Sequence, residues 1–199
     1  MKSFNHMVLS FFFVLFSMPA FADGHGHKGV EQYSFDTAHT QILFFVDHLG
    51  FSKSQGEFHE YSGGFVFDRD HPEKSSIDVT INTASIDMDH EKWDAHMKNA
   101  DFFSVKQFPT MTFKSTSIKV TGEKTAEITG DFTLLAVTKP VTLNVVYNKS
   151  DIHPFSGKYV SGFSATTTIK RSEFGMLYGL PAVGDDVEVR IEVEGVRQD

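Results

Sequence analysis

The stretch from Asp131 to Asn148 alternates apolar and polar residues on both sides of a short interruption. Phe132 and Leu134 alternate with polar neighbours, residues 136–140 break the pattern, and the alternation then resumes. The second run carries its apolar side chains at Val141, Leu143, Val145 and Tyr147. Side chains along a strand point to opposite faces in turn, so each run predicts a strand with one apolar face.

The same two-residue period recurs along most of the chain from Tyr33 onwards. It is clearest near the end, where Val187, Val189, Ile191 and Val193 alternate with charged residues. The other alternating runs lie at residues 42–48, 56–61, 63–68, 77–82, 111–114, 126–134 and 159–169. Roughly eight or nine strands with turn residues between them predict an all-β protein, built as a sandwich or an antiparallel barrel.

One segment, residues 87–103, lacks this alternation and predicts a single short helix inserted between strands. Asp87 and Asp89 are residue types that cap helices well. Apolar and aromatic side chains then fall on one side at helical spacing. These are Trp93, His96, Met97 and Ala100.

The first 22 residues have the pattern of a secretory signal peptide. Lys2 precedes a short apolar run, and Ala20-Phe21-Ala22 supplies the small residues that a signal peptidase recognises. The run is too short for a membrane-spanning helix, so we expect a cleaved peptide rather than a membrane anchor. We therefore expect residues 1–22 to be removed on export to the periplasm, residues 23–30 to form a flexible Gly/His-rich leader, and residues 31–199 to form one domain.

The net charge and the cysteine content exclude some partners and some covalent modifications. The chain has a formal net charge of −8, which gives no electrostatic basis for binding nucleic acid. It contains no Cys, so neither disulfides nor acylation at a cysteine can contribute.

Signals for catalysis are weak. Asp94 and His96 lie close together on the predicted helix and could perform acid–base chemistry in a small exported enzyme. The alternative is a solvated helix face with a locally hydrogen-bonded histidine, which we favour because no nucleophile lies at a partner spacing. His48 falls on the apolar face of its strand, where a histidine satisfied within the rim or core is the more common case.

The chain after the expected cleavage site offers a possible metal site. A free amino group followed by Asp23-Gly24-His25 can wrap Cu(II) or Ni(II) in square-planar geometry. The alternative, which we favour, is a polar leader that carries its histidines by chance. We therefore expect no metal, with Asp23 and His25 as the ligands if the protein handles metal.

Aromatic residues occupy many of the predicted inward positions. Small barrels of about eight strands are either filled by such side chains or hold one small ligand, and periodicity does not distinguish the two. The inward-facing phenylalanines are Phe44, Phe65, Phe67, Phe113, Phe132 and Phe163.

Several ordered stretches together resemble the YceI-like family of exported, lipocalin-like proteins that bind polyisoprenoids. They are VDHLGFSKSQGEF (residues 46–58), DAHMKNADFFSVKQFPTMTFKS (94–115), TGDFTLLAVTKPVTL (129–143), IKRSEFGM (169–176) and VGDDVEVRIEVEGVR (183–197). The resemblance covers the chain from about Tyr33. It implies an extended antiparallel lipocalin-like β-barrel of about eight strands with one short inserted helix.

The resemblance also implies an apolar tunnel that holds an isoprenoid lipid or quinone, with no catalysis and no cofactor besides the bound lipid. Val141 and Val145 are expected to line the tunnel beside Phe132, Leu134 and Leu143. The expected ligand-binding residues are Phe44, Val46, His48, Phe65, Phe67, Trp93, His96, Met97, Phe102, Phe113, Phe132, Leu134, Leu143, Phe163, Arg171, Phe174 and Met176.

Two departures from the family pattern lie on the predicted helix. Trp93 stands where a basic residue is more common, and Met97 where leucine is usual. The loss of the basic residue weakens the case for a phosphate head group there. Lys53, Lys92, Lys98 and Arg171 are the remaining candidates for a cationic tunnel mouth.

The strand at residues 42–48 also carries apolar side chains on its other face, at Leu43 and Phe45. Apolar residues on the outside of a barrel need a cover. A second copy of the chain, giving a homodimer, or the inserted helix would supply it.

Overall fold

A computed structural model describes residues 29–198 of the 199-residue chain. It contains eleven strands and one α-helix, with three short 3-10 turns. The strands are β1 (Val30–Phe35), β2 (Gln41–His48), β3 (Ser52–Phe58), β4 (Tyr61–Asp68), β5 (Ser76–Asn82), β6 (Ile86–Asp87), β7 (Thr110–Val120), β8 (Thr125–Leu134), β9 (Val137–Ile152), β10 (Tyr159–Lys170) and β11 (Val183–Arg197), and the helix is α1 (Glu91–Met97).

Eight of these strands close into an antiparallel barrel in the order β1-β4-β5-β7-β8-β9-β10-β11, with β11 returning to β1. The predicted all-β barrel with one inserted helix is therefore confirmed. The long strand β11 makes the closure possible, because it pairs with different neighbours along its length. Residues 195–197 pair with β1, whereas residues between 183 and 192 pair with β2. Strands β2, β3 and β6 thus continue the wall at one end of the barrel, the end that also carries α1.

The inserted helix is shorter than the sequence pattern suggested, and it is capped differently. It spans Glu91–Met97, and His90 occupies the N-cap position without a side-chain hydrogen bond. The predicted caps make other contacts: Asp87 accepts the backbone N–H of Asp89, which itself has a φ of 56°. The aspartates therefore shape the turn before the helix and do not cap it.

The interruption after Leu134 is also shorter than predicted. A two-residue turn, Leu135-Ala136, joins β8 to β9, and both residues have positive φ angles of 51° and 61°. Strand β9 then begins at Val137, so Pro140 lies within it and pairs with Asp131. Proline is tolerated there because β9 pairs with β10 only from Asn144 onwards, which leaves its first residues on an edge.

The strand bounds near Gly56 differ in a similar way. The structure has β3 at Ser52–Phe58 and β4 at Tyr61–Asp68, rather than strands at 56–61 and 63–68. Gly63 and Gly64 lie inside β4, where a Cβ atom would come within 2.1 Å of the carbonyl oxygens of Asp78 and Tyr33 respectively. These glycines allow β4 to lie close to both neighbouring strands.

The end of the barrel away from α1 is packed solid with aromatic rings. Tyr33 stacks on Phe65 at 4.7 Å between ring centroids, and Phe163 meets Phe65 edge-on at 5.4 Å. The other members of this aromatic plug are Phe67, Tyr147 and Tyr159. A buried ion pair lies beside it: Arg69 donates from Nε to a carboxylate oxygen of Glu31 at 2.7 Å. The buried charge is tolerated because the guanidinium is hydrogen-bonded. Besides Glu31, the hydroxyl of Tyr33 accepts a hydrogen bond from Arg69 at 3.0 Å.

On the outside of the barrel, Phe45 is half-buried rather than open to solvent. The guanidinium of Arg190, on the neighbouring strand β11, lies 4.7 Å from the centroid of its ring. This cation–π contact supplies part of the cover that the outer apolar face requires. The homodimer remains a prediction.

The expected signal peptide (1–22) and the possible metal ligands Asp23 and His25 lie outside the described residues, as does most of the expected leader (23–30). Within residues 29–198, no helix has the length and apolar character needed to cross a membrane.

Candidate functional site: an apolar cavity in the barrel

The half of the barrel nearer to α1 is not filled. It encloses a cavity of about 410 Å³, within the usual range for small-molecule sites. Strands β2, β5 and β7 to β11 contribute most of its wall, because their alternating apolar side chains point inward. The wall is therefore almost wholly hydrocarbon.

The cavity ends at the aromatic plug. Phe35 and Val193 belong to its wall, and both lie next to plug residues. The ring of Phe35 lies 6.2 Å from that of Phe65, and Val193 is the register partner of Phe163. The plug therefore forms the floor.

The opposite end reaches solvent beside α1. Trp93 and Tyr178 both line the cavity, yet 46% and 49% of their surfaces are exposed, which marks the opening. The ring of Trp93 lies 6.2 Å from His48, and that of Tyr178 lies 5.2 Å from His96. Two imidazole rings and a phenol ring thus lie at the opening.

Arg171 holds the loop that frames this opening. Its buried guanidinium donates four hydrogen bonds of 2.7–3.1 Å to backbone carbonyl oxygens, those of Met176, Tyr178, Val183 and Gly184. Burial lowers the pKa of Arg171, but a guanidinium stays charged at any physiological pH. Four of its five N–H donors bind this loop, so its main role is to hold residues 176–184 in place.

Asp185 supports the same loop. Its carboxylate accepts hydrogen bonds from both the backbone N–H and the hydroxyl of Ser172, at 2.9 and 2.8 Å. The hydrogen bond from the Ser172 backbone lowers the pKa of Asp185, which therefore stays ionised in the folded protein.

The two groups considered for acid–base chemistry, Asp94 and His96, have different partners. Asp94 accepts the backbone N–H of Met88 at 2.8 Å, and so fixes the turn that leads into α1. His96 pairs with Asp101 at 3.1 Å. Each side chain therefore has a local structural partner.

The deciding comparison is with known protein families. The model of the YceI-like domain family matches residues 33–195. This chain belongs to the YceI-like family.

Relatives and solved structures agree with that assignment. A UPF0312 protein of Ectopseudomonas mendocina is 43% identical over 160 residues, which cover 80% of this chain and 83% of the relative. The Campylobacter jejuni YCEI protein is 30% identical, with a TM-score of 0.67, over 77% of this chain and 90% of that one.

Two more distant structures share the fold. Burkholderia cenocepacia BcnA has a TM-score of 0.74 at 23% identity, over 80% of this chain and 98% of that one. A polyisoprenoid binding domain from Saccharophagus degradans has a TM-score of 0.65 at 14% identity, over 84% of this chain and 99% of that one.

Most of the residues that the sequence singled out lie on the cavity wall of this YceI-like barrel, where ligand contact remains a prediction. They are Phe44, Val46, His48, Trp93, His96, Met97, Phe102, Phe113, Phe132, Leu134, Leu143, Arg171 and Met176. Val141 is on the wall as well, whereas Val145 is not and packs against the cluster of Phe113 and Leu143.

Four predicted residues are not on the wall. Phe65, Phe67 and Phe163 point inward as expected, but they lie in the plug and contact one another. Phe174 is buried behind the wall, with its ring 5.3 Å from that of Phe132. Periodicity identified the inward face correctly; it did not distinguish a filled from an empty part of the interior.

Sequence reasoning also missed wall residues. Val187, Val189 and Ile191 of β11 line the cavity, and their regular alternation was enough to place them there. Tyr178 carries no such signal, because it lies in an irregular loop whose position depends on Arg171.

A separate group at the plug end could accept a metal ion. One ligand atom each from Asp36, His39 and Glu194 lies within 4.8 Å of the others. The hydrogen bond to Asp36 raises the pKa of His39, whose side chain is exposed. Glu194 is distant in sequence from Asp36 and His39, which is why histidine spacing did not reveal the group.

Proposed function

We propose that this YceI-like protein is an exported, periplasmic binding protein that carries or sequesters a long-chain isoprenoid lipid without catalysing a reaction. The observation that carries the proposal is the apolar cavity of about 410 Å³ inside a closed barrel. An apolar wall provides few hydrogen-bond partners for a polar substrate, whereas it suits a hydrocarbon tail. The shared fold of the Saccharophagus degradans polyisoprenoid binding domain supports the same ligand class.

The expected affinity follows from the tail. Burying one methylene group contributes about 0.8 kcal/mol, so a five-carbon isoprene unit contributes roughly 3–4 kcal/mol as an upper bound before ordering costs. A few units would therefore suffice for tight binding, with the head group adding selectivity.

Contacts at the opening engage two of the four candidate cations, so we place an isoprenoid quinone, with its neutral head group, ahead of a prenyl phosphate. Lys53 is paired with Glu188, and four of the five donors of Arg171 bind backbone carbonyls, which leaves Lys92 and Lys98 as the candidate cations. An anionic head would need charge-assisted donors that are free to turn towards it. His48 and Tyr178 can instead donate single hydrogen bonds to a carbonyl oxygen.

The test is to purify the protein from its own host, record a native mass spectrum, and extract and identify any bound lipid. We expect an added mass of several hundred daltons that belongs to an isoprenoid. Protein that carries only its polypeptide mass, and that also fails to take up added isoprenoids, would contradict the proposal.

Head-group preference is tested separately, by titrating isoprenoid quinones and prenyl phosphates of equal tail length across a salt series. We expect quinones to bind at least as tightly, with little effect of salt. A preference for phosphates that weakens as salt rises would show that cations at the opening bind the head group.

A further inference from the structure

Large apolar side chains are concentrated on the outside of the barrel around the cavity opening. Five such residues, which we call the mouth rim, are at least 46% exposed: Leu49, Phe51, Trp93, Leu177 and Tyr178. Phe51 is 88% exposed. Monomeric proteins rarely leave a group of this kind open to water without a purpose.

The rim residues come from three segments that meet at the opening. The turn between β2 and β3 carries Leu49 and Phe51, and the N–H of Leu49 donates to the carbonyl of Ala182 at 3.0 Å. That bond joins the turn to the loop that carries Leu177 and Tyr178. Helix α1 completes the rim, since the Trp93 ring lies 6.2 Å from His48 at the end of β2.

Two of the rim side chains lie both on the cavity wall and on the outer surface of the barrel. Trp93 and Tyr178 line the cavity and are also half exposed to solvent. The apolar surface is therefore continuous from the interior of the cavity to the outside of the barrel. Tryptophan and tyrosine are the side chains that favour the boundary between lipid and water, because each joins an apolar ring to a polar group.

We propose that the mouth rim inserts into the surface of a lipid bilayer, so that the tail of the ligand passes between bilayer and cavity without crossing water. The proposal rests on the proposed lipid-binding function. A bilayer is favoured over a protein partner because the rim borders the opening through which a water-insoluble tail must pass.

Charge predicts which bilayers should be bound. The chain is acidic overall, and the segments around the rim carry charges of both signs, such as Lys98 and Asp101. Attraction to anionic lipid would require a basic patch. Docking should therefore depend on apolar insertion, with little effect of salt and no requirement for anionic lipid.

The experiment uses Trp93, the single tryptophan of the chain, as the reporter. The mature protein is mixed with phosphatidylcholine vesicles, with and without brominated lipid. We expect a blue shift of the emission and quenching by the brominated chains. The double variant Phe51→Ser/Leu177→Ser should weaken partitioning into vesicles by about tenfold or more, since two apolar side chains no longer insert.

A matched control is available at the other end of the barrel. Phe155 is 94% exposed and Ile152 is also exposed, near the turn between β9 and β10. The variant Phe155→Ser/Ile152→Ser removes similar apolar surface far from the opening, so it should bind vesicles as wild type does. Equal losses in the two double variants would overturn the rim assignment.

A second measurement separates docking from ligand binding. Farnesol, a short prenol that can be added without vesicles, should bind the wild type and the rim variant equally, which also shows that the rim variant is folded. Wild type that binds farnesol but no vesicles would overturn the docking proposal and leave the proposed function intact. Vesicle binding without any isoprenoid binding would instead contradict the function, and with it the transfer of a tail through the rim.

The oligomeric state gives a further test. Concentration-dependent dimers that only the rim variant abolishes would assign the rim to a second copy of the chain and overturn docking.

Discussion

Two buried arginines stabilise opposite ends of the barrel in different ways. Arg69, at the plug, is balanced by the carboxylate of Glu31. Arg171, at the opening, is held by four carbonyl dipoles. The ion pair joins β1 to the end of β4 at the closed end, whereas the carbonyl cluster fixes the irregular loop that leads into β11.

The Glu31 pair predicts a pH dependence of stability. Burial by itself would raise the pKa of Glu31, but hydrogen bonds from Arg69, Tyr33 and Arg197 lower it below its usual 4.5. A carboxyl group with a lowered folded-state pKa stabilises the protein above its unfolded pKa, and this contribution is lost as pH falls through the folded value. We expect Glu31→Gln to lose about 3 kcal/mol of unfolding free energy at pH 7, because it leaves a buried cation unbalanced.

Urea unfolding of Glu31→Gln and wild type at pH 7 and near pH 3 checks this expectation. The difference between them should be smaller at the lower pH, because the contribution of the ionised carboxylate declines once the pH is below the unfolded pKa of Glu31. The exposed variant Glu127→Gln provides the control and should change stability little at either pH. A difference that is the same at both pH values would mean that the charge of Glu31 is not what stabilises the closed end.

A cavity and a filled core respond differently to a larger side chain. Val141 lines the cavity, so Val141→Phe should extend into open space and change the unfolding free energy by less than about 1 kcal/mol. Gly195 lies against the plug, where an added Cβ would come within 2.4 Å of the Phe65 ring. Gly195→Ala should therefore cost about 1–3 kcal/mol.

Denaturant unfolding of the two variants measures both effects. Val141→Phe should also weaken isoprenoid binding, because the new ring occupies space intended for the tail. A large loss of stability in Val141→Phe would show that the interior is packed at this position in solution.

At the scale of elements, local pattern specified the strands better than the connections between them. Alternation in β11 was sufficient to predict a strand with one apolar face, and the structure has it at Val183–Arg197. The Leu135-Ala136 turn was not predictable in the same way, because neither residue is the glycine or asparagine that positive φ angles usually require. Leu135 tolerates the conformation while packing against the core beneath it, a contact that only the tertiary fold reveals.

The helix shows the same limit. Residues 87–103 correctly predicted one helix, but only Glu91–Met97 is helical. Asp89 looked like a cap in sequence, whereas its positive φ makes it part of a turn. Phe102 and Phe103 are buried under the barrel end without being helical, whereas Ala100 is exposed.

Strand β10 contributes the floor of the cavity through Phe163. Phe163→Ala should remove part of the plug, extend the cavity towards the closed end, and cost about 3 kcal/mol of stability. The tail length at which affinity stops increasing should then become longer than in wild type.

A series of isoprenoids with one head group and increasing tail length measures that limit. Phe45→Ala is the control, because it removes the same side chain from the outer face of the barrel. An unchanged limit in Phe163→Ala, in protein shown to be folded, would mean that the plug does not form the floor.

At the scale of the whole molecule, the barrel is divided into a filled end and an empty end. The sequence predicted the barrel and the set of inward side chains, but Phe67 and Phe132 look alike in sequence. One lies in the plug and the other on the cavity wall, because the six plug rings fill the width of the barrel only at their own level. Which half remains empty depends on how rings from distant strands meet, and periodicity along one strand carries no such information.

The same division places the opening, with its polar side chains, at one end of the cavity and the aromatic floor at the other. A tail can therefore enter only from the end beside α1. Trp93 and Tyr178 mark the entrance, and the plug marks the limit. Affinity should therefore increase with tail length until the tail reaches the plug.

The measurement that tests this most directly is the dissociation constant of wild-type protein for isoprenoid quinones that differ only in the number of isoprene units. We expect affinity to increase with each added unit until the cavity is full, and then to remain level as further units stay outside. Affinity that does not change with tail length would contradict the claim that the cavity holds the tail of the ligand.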